Sequence, residues 1–216
     1  MYFLIKRFFD LFFAVNLLIV FSPIFILISI VLLFTGEGEV FYLQVRIGFK
    51  NSKFRIIKFA TMLKNSLNMG SGSITLKNDP RVTTLGKYLR ISKINELPQI
   101  INIIKGDLSF VGPRPLVQET FNLYSDEIKV KIYNTKPGLT GIGSVYFRNE
   151  EKIISKAKTP KLFYKNKIAP VKGKLELWYL KNQTFWTDFK ILITTIFVVI
   201  FKDSKRFLIL FPTIKL

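Results

Sequence analysis

The 216-residue chain contains no cysteine and no histidine, and it carries only 14 acidic residues against 33 lysines and arginines. The missing cysteine excludes disulfides and thiol nucleophiles, and the missing histidine excludes Ser-His-Asp triads. Without either, typical zinc sites cannot be built. Any acid, base or nucleophile must come from Asp, Glu, Lys, Tyr or Ser. A chain without cysteine also fits a reducing cytosol. The scarcity of acid leaves a formal charge of +19, which calls for an anionic partner: nucleic acid, acidic lipid or a phosphorylated substrate. At the same time 49% of the residues are hydrophobic, a pairing with charge that a purely soluble domain rarely shows. The length admits one ordinary domain plus a membrane element, but hardly two full domains.

The oil is concentrated at the N-terminus. Residues 11–34, "LFFAVNLLIVFSPIFILISIVLLF", carry no charge and as a straight helix would extend roughly 36 Å at about 1.5 Å per residue, enough to cross a hydrocarbon core of about 30 Å. The stretch is too long for a cleaved signal peptide and no small-residue cleavage site follows it. Ser22-Pro23 sits at its middle. Proline lacks the N–H donor and clashes with the carbonyl four residues back, so a break is expected there, with Ser22 bonding a freed carbonyl. A kinked spanning helix is one arrangement; a re-entrant hairpin is the other. Lys6 and Arg7 precede the run and the chain beyond it is also strongly basic, so both ends favour the cytoplasmic side, which argues for the re-entrant form. The expected organisation is a helix-break-helix over 1–35 and a cytoplasmic, membrane-associated domain over 36–216. The fold class is α+β, mainly helical, with a re-entrant N-terminal helix, a β-hairpin and amphipathic interfacial helices around the site.

Residues 40–60 are rich in β-branched and aromatic residues around the turn-forming "GFKNSK", which reads as a β-hairpin. The polar, glycine-containing stretch 64–79 reads as a mobile loop. In "NELPQIINIIKG", Leu97, Ile100, Ile101 and Ile104 share one helical face, with Asn95 as N-cap, Pro98 in the first turn and Gly106 as the stop. The apolar stretch 191–201 is too short to span; it suits either a membrane interface, with Trp178 and Trp186 at headgroup depth, or a buried core helix.

The chemistry-bearing residues cluster between 81 and 115. Arg114 stands in "GPRP", a stiff loop on which a guanidinium loses little entropy when its fork takes phosphate oxygens. Arg81, Lys87, Arg90 and Lys93 precede it, and Lys87 and Arg90 share a face if 84–91 is helical. Glu96 in that setting is held ionised and, with magnesium, could serve phosphoryl transfer to a diphosphate. Asp107 suits turn capping.

In order, "KRFFD", the apolar run broken at "FSP", "KFATM", "DPRVTTLGKYLR", "NELPQIINIIKGDLSFVGPRP" and "KPGLTG" resemble the small monotopic phosphoglycosyl transferases, the bacterial polyprenyl-phosphate sugar-phosphate transferases. The match runs from about Lys6 to Gly141, with weaker similarity through "FRNEE", which contains Arg148, and "FWTDFKIL". The resemblance implies an enzyme of the bacterial inner membrane, on its cytoplasmic face. It moves a sugar 1-phosphate from a nucleoside diphosphate sugar, here a UDP-sugar, to polyprenyl phosphate, the first membrane step of surface glycan assembly. It further implies a re-entrant helix broken at Ser22 and Pro23, magnesium as cofactor, and membrane lipids rather than nucleic acid as surroundings. In the implied mechanism the Asp of an Asp-Glu pair attacks the sugar-bearing phosphorus and expels the nucleoside monophosphate; the lipid phosphate then attacks the phosphosugar-enzyme. By motif position Glu96 matches the Glu, and Arg90, Arg114 and Lys58 are expected on phosphates. Thr61, Pro113, Pro115 and Arg148 are expected near the substrate.

Asn95 stands where the resemblance implies the catalytic Asp. A carboxamide is neutral, a poor nucleophile and a weaker magnesium ligand than a carboxylate. Three explanations stay open: a deliberate change that blocks turnover, a natural branch that is inactive or only binds, or another carboxylate, Glu96 first, in the nucleophile's role. A catalytically silent form that binds both substrates is therefore the alternative function. Nucleic-acid binding, suggested by charge alone, leaves the apolar N-terminus unexplained.

Overall fold

The computed structural model describes residues 1–66, 69, 79–201, 210–211 and 214. Along the chain run α1 (Tyr2–Leu33), β1 (Phe41–Ile47), β2 (Lys53–Phe59), α2 (Thr84–Ile91), α3 (Gln99–Lys105), β3 (Ser109–Val111), α4 (Gln118–Phe121) and α5 (Asp126–Lys131). They are followed by β4 (Gly138–Thr140), α6 (Ile142–Tyr146), α7 (Glu150–Ile154), α8 (Pro160–Phe163), α9 (Ala169–Lys181) and α10 (Phe185–Phe201). The class is α+β and mainly helical, as expected from the sequence.

α1 departs from the expected helix-break-helix in one respect: its helical assignment runs uninterrupted through Pro23. The reason is local. Proline cannot bond the carbonyl of Ile19, four residues back, and Ser22 Oγ donates to that same oxygen at 2.7 Å instead. Both halves of α1 lie against the rest of the protein. In the first half Arg7 donates to the carbonyls of Ile103 and Ile104, at 2.6 and 2.9 Å, in the last turn of α3, where the partial negative charge suits a guanidinium. Asp10, buried, accepts from Ser109 Oγ and the Phe110 N–H, each at 3.1 Å, which offsets the desolvation of its carboxyl. In the second half Phe25, Ile28 and Leu32 pack with Phe59 and Leu89. The remaining surface of α1, including Phe12, Ile19, Val20 and Leu27, is apolar and exposed.

β1 and β2 form the expected antiparallel hairpin, in register from Phe41↔Phe59 to Ile47↔Lys53. Lys50 and Asn51 take positive φ in its turn, a conformation that Asn tolerates better than most residues. The period-2 alternation is inverted from that of a soluble sheet. Phe41, Leu43 and Val45 are exposed, while Tyr42, Gln44 and Arg46 face inward.

α2 matches the helix expected over 84–91, capped by Thr83 Oγ1, which accepts from the Gly86 N–H at 3.0 Å. α3 starts later than expected. Residues Ile94–Glu96 form a 3-10 turn entered through Lys93 at φ 64, and Pro98 rather than Asn95 stands at the N-cap of α3. The left-handed Lys93 turns the chain before the helix begins, so Asn95 lies inside the turn. Gly106 ends α3 at φ 91 as expected. β3 and β4 pair in parallel, Ser109↔Gly138 and Val111↔Thr140, and where they meet only glycine fits: a Cβ on Gly138 would stand 2.1 Å from the Gly112 nitrogen.

α10 is two-faced. Ile191, Thr194 and Val198 are buried and Trp186, Phe189, Ile196 and Phe197 are exposed, so the core expectation holds for one face while the other is apolar and uncovered. Most of the loop expected over 64–79 lies outside the described residues.

Candidate active site

The inward face of the hairpin, the 3-10 turn at 94–96 and the "GPRP" loop enclose a polar cavity of about 450 Å³. Arg114 is fixed there by backbone and ring alike. Tyr133 Oη donates to the Arg114 carbonyl at 2.8 Å and accepts from the Leu116 N–H at 2.9 Å. Gly112 donates to Thr140 O and Gly138 donates to Pro113 O, each at 2.9 Å. A loop with its backbone groups so paired presents its guanidinium with little further ordering to lose.

Glu96 is the centre of charge. Arg114 Nη2 donates to its Oε1 at 2.7 Å and Lys58 Nζ donates to the same oxygen at 3.1 Å. Burial raises the Glu96 carboxyl, but Arg114, Lys58 and Lys93 outweigh it and hold the group well below the usual carboxylate range. Burial pulls the Lys58 ammonium down to about 8 against the opposing pull of Glu96. Arg46 completes the wall, with burial and the neighbouring Arg114 lowering it to about 10. It donates to Gln44 Oε1 and to the Pro115 carbonyl.

Of the residues singled out from sequence, Lys58, Thr61, Arg90, Asn95, Glu96, Arg114, Pro115 and Arg148 all line this cavity. Pro113 does not; its carbonyl is spent on the Gly138 N–H and its role is to hold the loop. Lys87 is exposed and turned away. Asp107 accepts from Asn102 Nδ2 at 3.1 Å, a side-chain contact rather than the turn cap expected of it. Arg90 donates to Glu151 Oε1 at 2.9 Å. Asn95 is 6% exposed, and its Oδ1 is buried without a hydrogen-bond partner. The helix-cap expectation is corrected accordingly: the amide oxygen caps nothing.

A second, apolar groove of about 790 Å³ adjoins the first. Leu17, Phe21 and Ile24 of α1 and Leu192 and Ile196 of α10 line it, and at its polar end it shares Lys93, Glu96, Arg114, Arg148 and Lys172 with the cavity. One set of charges thus faces both a polar space and an apolar one.

Residues 1–202 match the family model of the bacterial sugar transferases. The chain belongs to that family. Among its relatives is the exopolysaccharide production protein ExoY of Rhizobium meliloti, 34% identical over 88% of this chain and 83% of the relative. The undecaprenyl-phosphate galactose phosphotransferase of Salmonella typhimurium is 32% identical over 93% of this chain but 41% of the relative. A third, the UDP-N-acetylgalactosamine-undecaprenyl-phosphate N-acetylgalactosaminephosphotransferase of Aeromonas hydrophila, is 32% identical over 90% of this chain and 43% of its own length. This sugar transferase therefore spans less than half the length of the last two.

Sequence reasoning missed part of the transferase's site. Arg46 and Gln44 were legible in principle, because a hairpin strand whose polar residues alternate with Phe41, Leu43 and Val45 must turn one set inward. Glu150 and Glu151 lie in the quoted "FRNEE" without having been singled out, and Lys172 carries no such local signal. Lys172 pairs with Glu150 in the wall common to both spaces.

Proposed function

We propose that the protein transfers a sugar 1-phosphate from a nucleoside diphosphate sugar, a UDP-sugar, to polyprenyl phosphate at the cytoplasmic face of a bacterial inner membrane, the first membrane step of surface glycan assembly. The observation that carries this reading is the sharing of Arg114, Arg148 and Glu96 between a polar cavity and an apolar groove. A soluble diphosphate suits the first space and a lipid phosphate with an apolar tail suits the second. The transfer breaks one P–O–P bond of the donor, forms one P–O–P bond to the lipid phosphate and releases the nucleoside monophosphate.

Arg114 and Arg148 are suited to holding phosphate oxygens, and Arg148 makes no hydrogen bond or ion pair among the described residues. No cluster of three acidic residues is present among the described residues, so magnesium fits as an ion carried by the diphosphate, for which one or two protein oxygens suffice. Glu96 and the unpartnered Oδ1 of Asn95 would hold it, and it would neutralise charge on the diphosphate.

Both ends of α1 return to the same body, and its outer surface is apolar. With the exposed faces of β1 and α10, this supports a re-entrant membrane helix over 1–35 and a domain over 36–216 resting on the same leaflet. The protein should stay in membranes through high-salt and alkaline washes, and tags on both termini should be reachable only from the cytoplasm. Labelling of the N-terminus from the opposite side would restore a spanning helix.

A second reading, a form that binds both substrates without turnover, is favoured by Asn95 and by the pairing of the other acids that line the cavity. Glu96, Glu150 and Glu151 each pair with a cation, which weakens each as a nucleophile. The deciding experiment is UMP release from a panel of UDP-sugars, with and without polyprenyl phosphate, by this chain and its Asn95→Asp variant. Release that needs the Asp identifies the silent form; release by both identifies the transferase.

A further inference from the structure

Glu176 lies on α9, 2% exposed, and nothing in the transfer chemistry calls for it. It makes no ion pair among the described residues, and its Oε2 is buried without a hydrogen-bond partner. A carboxyl in such a place is costly, and an aliphatic side chain of similar volume would pack there at less expense. Its surroundings explain why it is acidic. The parallel strands β3 and β4 end side by side; β3 leads into the loop carrying Arg114, and β4 leads through α6 to Arg148. Beneath both ends, the backbone N–H groups of Arg114 and Gly143 face the Glu176 carboxyl. The approach is so close that a Cβ on Gly143 would stand 2.4 Å from Glu176 Oε1.

α9 is itself well anchored against this corner. Tyr179 Oη donates to the Val111 carbonyl at the end of β3 at 3.3 Å, and Leu175 is buried in the cluster that contains Val111 and Ile142. One turn before Glu176, Lys172 pairs with Glu150, two residues beyond Arg148. α9 therefore touches both cation-bearing segments from below.

We propose that Glu176 is a positioning residue whose carboxyl ties the backbone at Arg114 to the backbone at Gly143, and thereby sets how far apart the guanidinium groups of Arg114 and Arg148 stand. The inference rests on the reading that these two arginines hold substrate phosphates. Burial pushes the Glu176 carboxyl up to about 8, against the pull of Lys172 and the two N–H groups, which favours the uncharged acid. A glutamine keeps the shape and the acceptor oxygen of that form; a leucine keeps the volume and loses the acceptor.

The test uses the full chain in detergent, with Glu176→Gln and Glu176→Leu, and two measurements. Amide hydrogen exchange should rise about tenfold in the Leu variant over residues 112–116 and 141–148 together, the effect expected when about one net hydrogen bond is lost, and should stay at the parent's level in the Gln variant. The β1–β2 hairpin should exchange alike in all three proteins. UDP-galactose binding should weaken about tenfold in the Leu variant, which corresponds to about 1.4 kcal/mol, and remain within about twofold of the parent in the Gln variant. Loosening of only one segment, loosening spread over the hairpin as well, or a Gln variant that behaves like the Leu variant overturns the proposal. If the parent itself binds no UDP-sugar, the phosphate reading fails, while the paired exchange result still decides whether Glu176 ties the two segments. Should the Leu variant not fold, Glu176→Asp, which withdraws the carboxyl by one methylene, should loosen both segments together, and unchanged exchange there overturns the proposal equally.

Discussion

The polar cavity and the apolar groove are neighbours built from opposite materials. The cavity is walled by the inward face of a hairpin and by two loops, and most of its charges are already paired: Glu96 with Arg114 and Lys58, Glu150 with Lys172, Glu151 with Arg90. The groove is walled by α1 and α10 and is apolar until it reaches Glu96, Arg114 and Arg148. The lesson lies in the shared end. On the proposed function, a site that brings a water-soluble anion and a lipid anion to the same atoms needs one set of cations with a different solvent on each side, and two apolar helices laid against a polar hairpin provide that arrangement. Substitutions at the shared end should affect both substrates, and substitutions in either private part should affect one.

The largest effect is expected at the floor of the cavity. Asn95→Asp places a carboxylate where the amide oxygen has no partner, beside a strongly positive wall. UMP release should rise by orders of magnitude, and a phosphosugar adduct should become trappable on residue 95. If the parent already turns over at about 1 per second or more, a covalent Asp mechanism does not apply to it. Glu96→Gln in the parent background would then show whether the neighbouring carboxylate carries the phosphosugar, because capture of labelled sugar would vanish only in that case.

Arg114→Lys tests the shared end. It keeps the charge and removes the planar fork, so binding of donor and of polyprenyl phosphate should both weaken by about tenfold. A loss confined to one substrate would break the claim that the two spaces meet at this residue. Ile196→Asn tests the groove alone: the residue is 56% exposed in the isolated protein and lines the apolar wall. The KM for polyprenyl phosphate should rise by about fivefold, the equivalent of about 1 kcal/mol of lost apolar contact, with UDP-sugar binding unchanged.

The smallest effect concerns Lys58. Its folded value of about 8 lies below the ordinary lysine value of 10.5, so between these limits the unfolded chain holds the proton more tightly than the folded one. The contribution of this group to stability therefore rises with pH from about 8 to about 10.5 and is flat below that window. Thermal unfolding across the interval should show the parent gaining on Lys58→Gln by a few degrees at most. A parent that loses ground there would contradict the burial of Lys58 against Glu96.

Much of the molecule was legible before any folding was considered. The hairpin, α2 and the Gly106 stop follow from alternation, capping and turn residues that act over a few positions. So does the crowding of Arg90, Glu96 and Arg114 into one region, because short loops keep residues near in sequence near in space. Asn95 was misread because local rules place an Asn before "ELPQ" as a cap, whereas the left-handed Lys93 starts a 3-10 turn first. At Pro23 the helix continues, with the Ser22 hydroxyl on the Ile19 carbonyl that the proline cannot serve.

By itself, the sequence determined the class of chemistry. The composition, with no cysteine, no histidine, +19 of charge and 24 uncharged residues in a row, called only for an anionic partner and an apolar N-terminus; the motifs that carry the family resemblance narrowed this to phosphate transfer at a membrane. The tertiary structure alone decided which charges meet. Lys172 and Glu176 come from a helix about 60 residues beyond Arg114, and Arg148 reaches the same end of the site only because β3 and β4 pair in parallel. Such contacts depend on packing between segments distant in the chain, and packing leaves no period in the sequence: any buried helix face can read as apolar, and only the neighbours it meets decide whether a glutamate within it is a fault or a tie.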